Sequence, residues 1–321
     1  MKALLPYLFC CCVTMSQAQE TFFSQPYSTP TNISPAFVGA FNAKNRLVVQ
    51  YRQPSAPNTE QRYGVSFDQK NVLPNGDYVG FGVHMGQQQA SYLDKTIAKG
   101  AVAYGKYLGD MGNGNAHYLV AGSEIGFQQH TLSLSKLAFA YGVNIPNYSD
   151  GFLRNSYSDV SIGTMWYATW KKGTRAHLGM VWQHLNKPDI GFLEPEQLPF
   201  GYTLHTGCEI PLATQLKFVP TAIITRQGKT TDIKGGLSLK ITADDTISVQ
   251  AGFFIRYDNM FTPKPTRQTL SLFFNIDFYQ SAIHILYDAS LGEIARNNGF
   301  EMAYIRFWGM PKRKSGRIPI F

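Results

Sequence analysis

Residues 230–241 read TTDIKGGLSLKI, and this stretch decides the fold because its polarity alternates along the chain. In an extended chain, Ile233 and Leu237 fall on one face, while Asp232 and Lys234 fall on the other. A period of two predicts a β-strand with one apolar and one polar face. Such a strand suits a membrane barrel with a wet lumen, and it also suits a soluble sandwich with one solvated face.

The same pattern recurs along the chain in segments separated by turn residues. The apolar stretch 131–141 is assigned to a continuation of the preceding strand or to the loop after it, because single-chain bacterial barrels have even strand counts. The segment lengths match the roughly 9 to 11 residues of a tilted membrane-crossing strand. We therefore predict fourteen strands, at 44–52, 61–69, 77–86, 95–108, 116–128, 159–169, 173–184, 200–209, 214–226, 230–241, 245–257, 267–278, 281–289 and 299–308.

The connections between these segments provide a separate indication. Short and long connections mostly alternate, as in outer-membrane barrels, where short turns face the periplasm and longer loops face outside. The long connections are 53–60, 142–158, 185–199, 258–266 and 290–298.

Aromatic residues favour a membrane barrel over a sandwich, because they gather at strand ends, as at Tyr51, Trp166 and Trp308. Barrels carry aromatic girdles at both interfaces. Charged residues make up 16% of the chain, against roughly 25% in soluble domains. After the first 18 positions there is no apolar run near the roughly 20 residues of a membrane-spanning helix. The predicted fold is all-β, a transmembrane antiparallel barrel of the bacterial outer membrane with about 14 strands, within a range of roughly 12 to 16.

The 321 residues divide into four predicted segments. A positive start, an apolar stretch and a small-residue cleavage site make residues 1–18 a secretory signal peptide. Residues 19–43, with three prolines, form an N-terminal periplasmic or plug segment. Residues 44–309 form the barrel, and residues 310–321 form a basic periplasmic tail. Localisation in the cell outer membrane follows from export and the barrel pattern together.

Charge and cysteine content limit the partners. Removing residues 1–18 changes the formal net charge from +8 to +7 and leaves Cys208 as the one cysteine, so no intrachain disulfide is expected. Export argues against a nucleic-acid partner, and outer-membrane lipid is the expected surroundings of the barrel. The basic tail is predicted to bind an acidic periplasmic partner or anionic headgroups. Its cations are Lys312, Arg313, Lys314 and Arg317.

No catalytic or metal-binding motif stands out. None of the seven histidines has the spacing of a helical zinc site, and no nucleophile elbow occurs. His177 and His184 lie in one predicted strand, seven positions apart, so they are expected on opposite faces. We predict no enzymatic activity, no cofactor and no metal.

Several short motifs, taken in order, resemble the PorP/SprF family of type IX secretion system membrane proteins over nearly the whole mature chain. The sequence departs from the family pattern at Ser34, where the family usually has Asn, and at Gln53, after which the family's Trp is missing. The motifs are FFSQPY at 22–27, SPAFVG at 34–39, QYR at 50–52, SDVSIG at 158–163, LYDAS at 286–290 and GFEM at 299–302.

The resemblance implies an outer-membrane barrel that works with the type IX system, which exports proteins and, in gliding bacteria, displays adhesins. Some members contact periplasmic ring components, and others help to attach one secreted adhesin. Loops 142–158 and 185–199 would receive the exported protein or its C-terminal domain. A small-solute pore is the alternative, suggested by the polar strand faces. The predicted partner-binding residues are the tail cations together with Ser34, Pro35, Ala36, Phe37 and Gly39.

Overall fold

Fourteen antiparallel strands close into one barrel in the computed structural model. The structure describes residues 23–55, 60–109, 115–141, 151–170, 173–243, 247–258, 267–291 and 298–309. The strands are β1 (Asn45–Pro54), β2 (Gln61–Val72), β3 (Tyr78–Gln89), β4 (Leu93–Gly109), β5 (Ala116–Ser133), β6 (Phe152–Thr169), β7 (Arg175–Gln183), β8 (Gly201–Pro211), β9 (Leu216–Gln227), β10 (Thr230–Thr242), β11 (Ile247–Asp258), β12 (Arg267–Phe278), β13 (Ser281–Ser290) and β14 (Gly299–Trp308).

The ladder is continuous because the first strand pairs with the last. β1 and β14 run antiparallel with Asn45 opposite Trp308 and Pro54 opposite Gly299. Every other pair joins neighbours in sequence. Closure removes the free strand edges that would otherwise expose unpaired backbone groups, and this satisfies the requirement of a lipid environment.

The predicted all-β barrel of about 14 strands is confirmed, and most predicted strands agree with the structure to within a few residues. The largest difference is at β6, which begins at Phe152, whereas residues 142–158 were expected to be a loop. The apolar stretch 131–141 divides as expected between a continuation of β5, up to Ser133, and the connection after it. That connection starts with a short helix, α1 (Leu134–Tyr141).

The barrel has two distinct ends. We call the end at which β1 begins and β14 ends the terminal end, and the opposite end the loop end. Connections at the terminal end are short, such as Tyr279-Gln280 between β12 and β13. The loop end carries longer connections, including residues 184–200 between β7 and β8.

Side chains alternate between the lumen and the outside along each strand. The outer face is apolar: Met85 and Ile125, for example, are 65% and 62% exposed. The lumen side holds the buried polar groups and an apolar core made with residues 23–43, which we call the plug. Within the described residues, no helix is long and apolar enough to cross a membrane.

Candidate functional site

The plug lies inside the lumen and interacts with several of the buried polar groups of the wall. Its chain forms three short 3₁₀ helices, at Pro26–Ser28, Pro30–Asn32 and Pro35–Phe37. Each begins with a proline, which has no N–H to donate and a φ suited to a first helical position. Three such prolines within ten positions prevent this segment from joining the wall as a further strand.

The first plug residues are held in the loop-end half by two buried carboxylates. The backbone N–H groups of Ser24 and Gln25 donate to the Glu301 carboxylate at 2.7 and 3.0 Å. The Ser24 hydroxyl donates to Asp288 Oδ2 at 2.5 Å. Arg52 forms a salt bridge with Asp288 and donates to Ser24 Oγ at 2.8 Å. The plug is thus part of an ion-pair network that reaches β1, β13 and β14.

A second cation, on β10, contacts the same plug residue. Lys234 Nζ donates to the Ser24 carbonyl oxygen at 2.7 Å, and Lys234 is only 6% exposed. Beside it, Arg256 Nη2 lies 2.7 Å from Asp232 Oδ2. Buried charges are costly unless they are paired and hydrogen-bonded. The hydrogen bond to the Ser24 carbonyl oxygen therefore helps to stabilise the buried Lys234 ammonium.

Glycines on three wall strands form the seat of the third 3₁₀ helix. A Cβ on Gly122 would lie 2.6 Å from the Pro35 carbonyl carbon, and one on Gly163 would lie 2.6 Å from Ser34 Oγ. A Cβ on Gly80 would lie 2.4 Å from the Val38 carbonyl oxygen. These approaches are too close for any side chain. The three glycines are therefore required by the position of the plug.

The plug is held again near the terminal end. Asp68 accepts a hydrogen bond from the Gly39 N–H at 3.1 Å and pairs with Arg46 at 2.8 Å. The Lys70 ammonium donates to the Phe41 carbonyl oxygen. The Arg46 guanidinium stacks on the Phe41 ring, with 4.7 Å from Cζ to the ring centroid. Both ends of the plug are consequently fixed by charged side chains of the wall.

Aromatic and imidazole rings pack around the middle of the plug. The Phe37 ring lies 4.9 Å from the His205 ring and 5.5 Å from the His177 ring, between centroids. The expectation that His177 and His184 lie on opposite faces is wrong, since both are 2% exposed. The reason is that β7 ends at Gln183, and His184 has a left-handed backbone, with φ of 58°.

The predicted partner-binding residues fall into two groups. The five at 34–39 are brought together and are buried between the plug and the wall; Ser34 is 1% exposed, and Ala36 and Phe37 are 0% exposed. They hold the plug in place in this structure. The four tail cations, at 312–317, lie outside the described residues. Of the two predicted receiving loops, 185–199 is described throughout, and 142–158 is described only from residue 151.

The plug packs against one side of the lumen. Its apolar core packs on β3 to β6, where Tyr78, Tyr118 and Met165 are at most 5% exposed. On β9, the inward-facing Lys217 and Thr221 are only half-buried. Toward the terminal end, inward-facing side chains of β7 to β12 stay partly exposed, and we call this part of the lumen the vestibule.

A small cavity of about 90 Å³ lies between the plug and β7 to β10. Thr29, Asn32 and Asp232 line it, and each has a buried polar atom without a protein partner. A water molecule occupies roughly 30 Å³ of liquid volume. The cavity therefore has room for a few bridging waters that would satisfy these atoms.

Among the described residues, no group of three or more histidine, cysteine or acidic side chains is arranged to hold a metal ion. The charged residues that hold the plug were not singled out from the sequence. Asp288 and Glu301 lie within the motifs LYDAS and GFEM, and the signal for Asp68 is a charge on the polar face of a predicted strand. Such a charge could equally point into open water.

Comparisons with known proteins identify a family and proteins of similar fold. The model of the family described as "Type IX secretion system membrane protein PorP/SprF" matches residues 15–306. The CymD monoaromatic hydrocarbon channel is similar in structure, with a TM-score of 0.53 and 9% identity over 88% of this chain and 93% of that chain. The Pseudomonas putida toluene transporter TodX has a TM-score of 0.49 and 11% identity over 91% and 96%. The search of curated proteins found no match.

Proposed function

Because the chain belongs to the PorP/SprF family of type IX secretion system membrane proteins, we propose that it is a non-enzymatic outer-membrane component of that system. It aids the export of secreted proteins, their attachment at the cell surface, or both. It does so by binding the secreted proteins, such as gliding adhesins, or periplasmic ring components.

The observation that carries this proposal is the closed, plugged barrel. Wall charges hold the plug at Ser24 and at Gly39, and the seat at Gly122 matches its backbone. A lumen occupied in this way suits a docking component better than a free passage. In the usual orientation of bacterial barrels, short turns face the periplasm, so the terminal end would face the ring components and the loop end would face outside.

The loop at 184–200 supports a role in binding the exported protein at the loop end, because internal contacts fix its conformation. Asp189 Oδ1 accepts hydrogen bonds from the Gly191 and Glu196 N–H groups at 3.0 and 2.8 Å. These hydrogen bonds lower the pKa of the Asp189 carboxyl. Ile190 and Leu198 are buried against Tyr157 of β6. Because the loop is already ordered, it would lose little conformational entropy when it binds a partner.

Deletion of the gene tests the proposal directly. We expect type IX substrates, or one adhesin, to accumulate in the periplasm or to be released from the cell surface. Re-expression of the full chain should restore secretion and attachment. Normal secretion and attachment of every type IX substrate in the deletion strain would contradict the proposal. Pull-down from detergent-solubilised envelopes then separates the two roles, through recovery of ring components or of one adhesin.

A small-solute pore is the second candidate function. The half-buried polar side chains of the vestibule, such as Lys217 and Thr221, favour it, and so does the similar fold of the CymD channel. The two functions differ in planar-bilayer conductance. A docking component with its plug in place should show no stable open channel, whereas a solute pore should conduct without any change to residues 23–43.

A further inference from the structure

The two ends of the barrel differ in charge. Among the described residues nearer the terminal end, eight are basic and four are acidic. Nearer the loop end, apart from the Lys99–Glu124 ion pair at mid-height, eleven are basic and ten are acidic. The excess of positive charge is thus local, and a local excess attracts a partner of opposite sign.

Some cations of the terminal end belong to the plug contacts or to a turn. Arg46 pairs with Asp68, and Lys70 donates to the plug backbone. Lys106 pairs with Asp77 in the turn before β3. These three cations already have partners within the protein, so the positive charge that a ligand could meet comes from other residues.

The vestibule holds the remaining lumen-facing cations. Lys217 Nζ and Arg175 Nη1 both contact Glu209 Oε2, at 2.9 and 3.4 Å, so that two cations share one carboxylate. Lys240 Nζ contacts Asp277 Oδ2 at 3.1 Å. All five side chains keep some solvent exposure, from 13% to 36%. A ligand that enters from the terminal end can therefore reach them.

We propose that the vestibule binds an acidic, extended polypeptide segment of a periplasmic protein. Three cations against two carboxylates leave a positive site, and all of these side chains are partly exposed. Lys44, exposed just before β1, adds one cation at the rim. The inference rests on the proposed function for the identity of the periplasmic side.

The position of these cations favours a polypeptide over a lipid. Lys217 and Lys240 face the lumen, on strands whose alternate side chains, such as Leu239, face the outside. Lipid headgroups lie outside the wall and do not meet them. An extended chain is narrow enough to enter beside the plug, and its carboxylates provide the complementary charge.

Binding of defined peptides tests the proposal. The full mature chain in nanodiscs of zwitterionic lipid is titrated with a fluorescent peptide of Asp, Glu, Gly and Ser, and with the same peptide carrying Asn and Gln. We expect binding of the acidic peptide only, weakening with added salt. The double variant Lys217→Gln, Lys240→Gln should bind about tenfold more weakly, as expected for the loss of two partly buried charge contacts.

The matched control is Lys187→Gln with Lys229→Gln, which removes the same charge at the loop end and should leave the affinity unchanged. Heat-dependent gel mobility verifies that each variant is folded. Equal affinity in both double variants, or loss of all binding on removal of residues 312–317 alone, would overturn the proposal. Binding of anionic lipid vesicles in place of the peptide, with the same dependence on Lys217, would overturn it as well.

This test can fail independently of the proposed function. If the deletion strain loses secretion but the peptide does not bind, the proposed function is supported and the vestibule site is contradicted. If the peptide binds through Lys217 and Lys240 but secretion is normal, the site stands and its role in type IX export falls.

Discussion

Arg52 forms ion pairs with both carboxylates at the loop-end anchor of the plug, so its removal leaves them without this partner. Asp288 and Glu301 are each 1% exposed. We expect Arg52→Leu to lower the free energy of unfolding by about 3–5 kcal/mol, the usual cost of leaving a buried charge uncompensated. Denaturant unfolding in lipid, followed by tryptophan fluorescence, measures the change.

Arg62→Leu is the control for this variant. Arg62 pairs with Glu60, whose side chain is 31% exposed, at the loop-end rim. Its loss should cost less than that of Arg52, because the Arg62 and Glu60 side chains, at 16% and 31% exposure, keep more contact with water. Equal destabilisation by the two variants would mean that the network around Ser24 does not hold the plug.

Asp77, in the turn before β3 and outside the membrane-spanning strands, predicts that the stability of the protein depends on pH. The Tyr104 hydroxyl donates to its carboxylate, as do the Tyr107 N–H at 2.8 Å, Lys106 at 3.0 Å and Asn75 at 2.7 Å. Led by the Tyr104 hydrogen bond, these contacts lower the pKa of Asp77 from 3.8 to about 2. A carboxyl with a lowered pKa contributes stability above its unfolded value, and this contribution is lost as the pH falls through the folded value.

We therefore expect the difference in thermal midpoint between wild type and Asp77→Asn to be constant above a pH of about 4 and to vanish as the pH approaches about 2. The midpoint is followed by circular dichroism over that range. Asp94→Asn provides a control, since Asp94 lies at the opposite end of β4. A difference between wild type and Asp77→Asn that grows on acidification would contradict the assigned hydrogen bonds.

At the scale of elements, the glycine seat determines where the plug can lie. Gly122→Val would force side-chain atoms into the Pro35 backbone and should destabilise the plugged state by about 1–3 kcal/mol, as overpacking does. We expect faster hydrogen exchange at residues 34–39 and conductance in planar bilayers. Gly100→Val is the matched control, because a Cβ there meets nothing within 4 Å. Slow exchange at 34–39 in both variants would show that the seat does not position the plug.

The strands could be predicted because lipid on one side and lumen on the other impose an alternating pattern. That pattern is weaker where a strand extends past the bilayer. Residues 152–158 of β6 read FLRNSYS, and they pair with β5 from Phe127 to Ser133. Pairing with β5 and the packing of Tyr157 against Ile190 form this extension, and neither contact is visible in local sequence.

For the whole molecule, the architecture could be predicted from the sequence, and the interior of the lumen could not. Ser24 meets Asp288 across 264 positions and Lys234 across 210. No local pattern indicates which polar-face residues meet a segment so far away. The motif at 34–39 was expected to bind a partner; the structure places it in contact with the protein's own wall at Gly122 and Gly163.

The orientation of the barrel can be tested on intact cells. In a Cys208→Ala background, we expect Lys187→Cys, at the loop end, to react with a membrane-impermeant maleimide. Lys44→Cys, at the terminal end, should react only after the outer membrane is opened. Both positions lie outside the strands and are exposed, so local accessibility does not separate them. The reverse labelling pattern would place the vestibule at the cell surface.

The pairing of β1 with β14 has a consequence for biogenesis. Asn45 and Trp308 stand opposite each other although nearly the whole chain separates them, and contacts of such long range form slowly. The plug precedes β1, and its anchors Asp288 and Glu301 belong to the last two strands. The barrel therefore closes around residues 23–43. The step that pairs β1 with β14 also brings Ser24 into contact with Asp288 and Glu301. A newly made barrel would contain its plug from the moment that it closes.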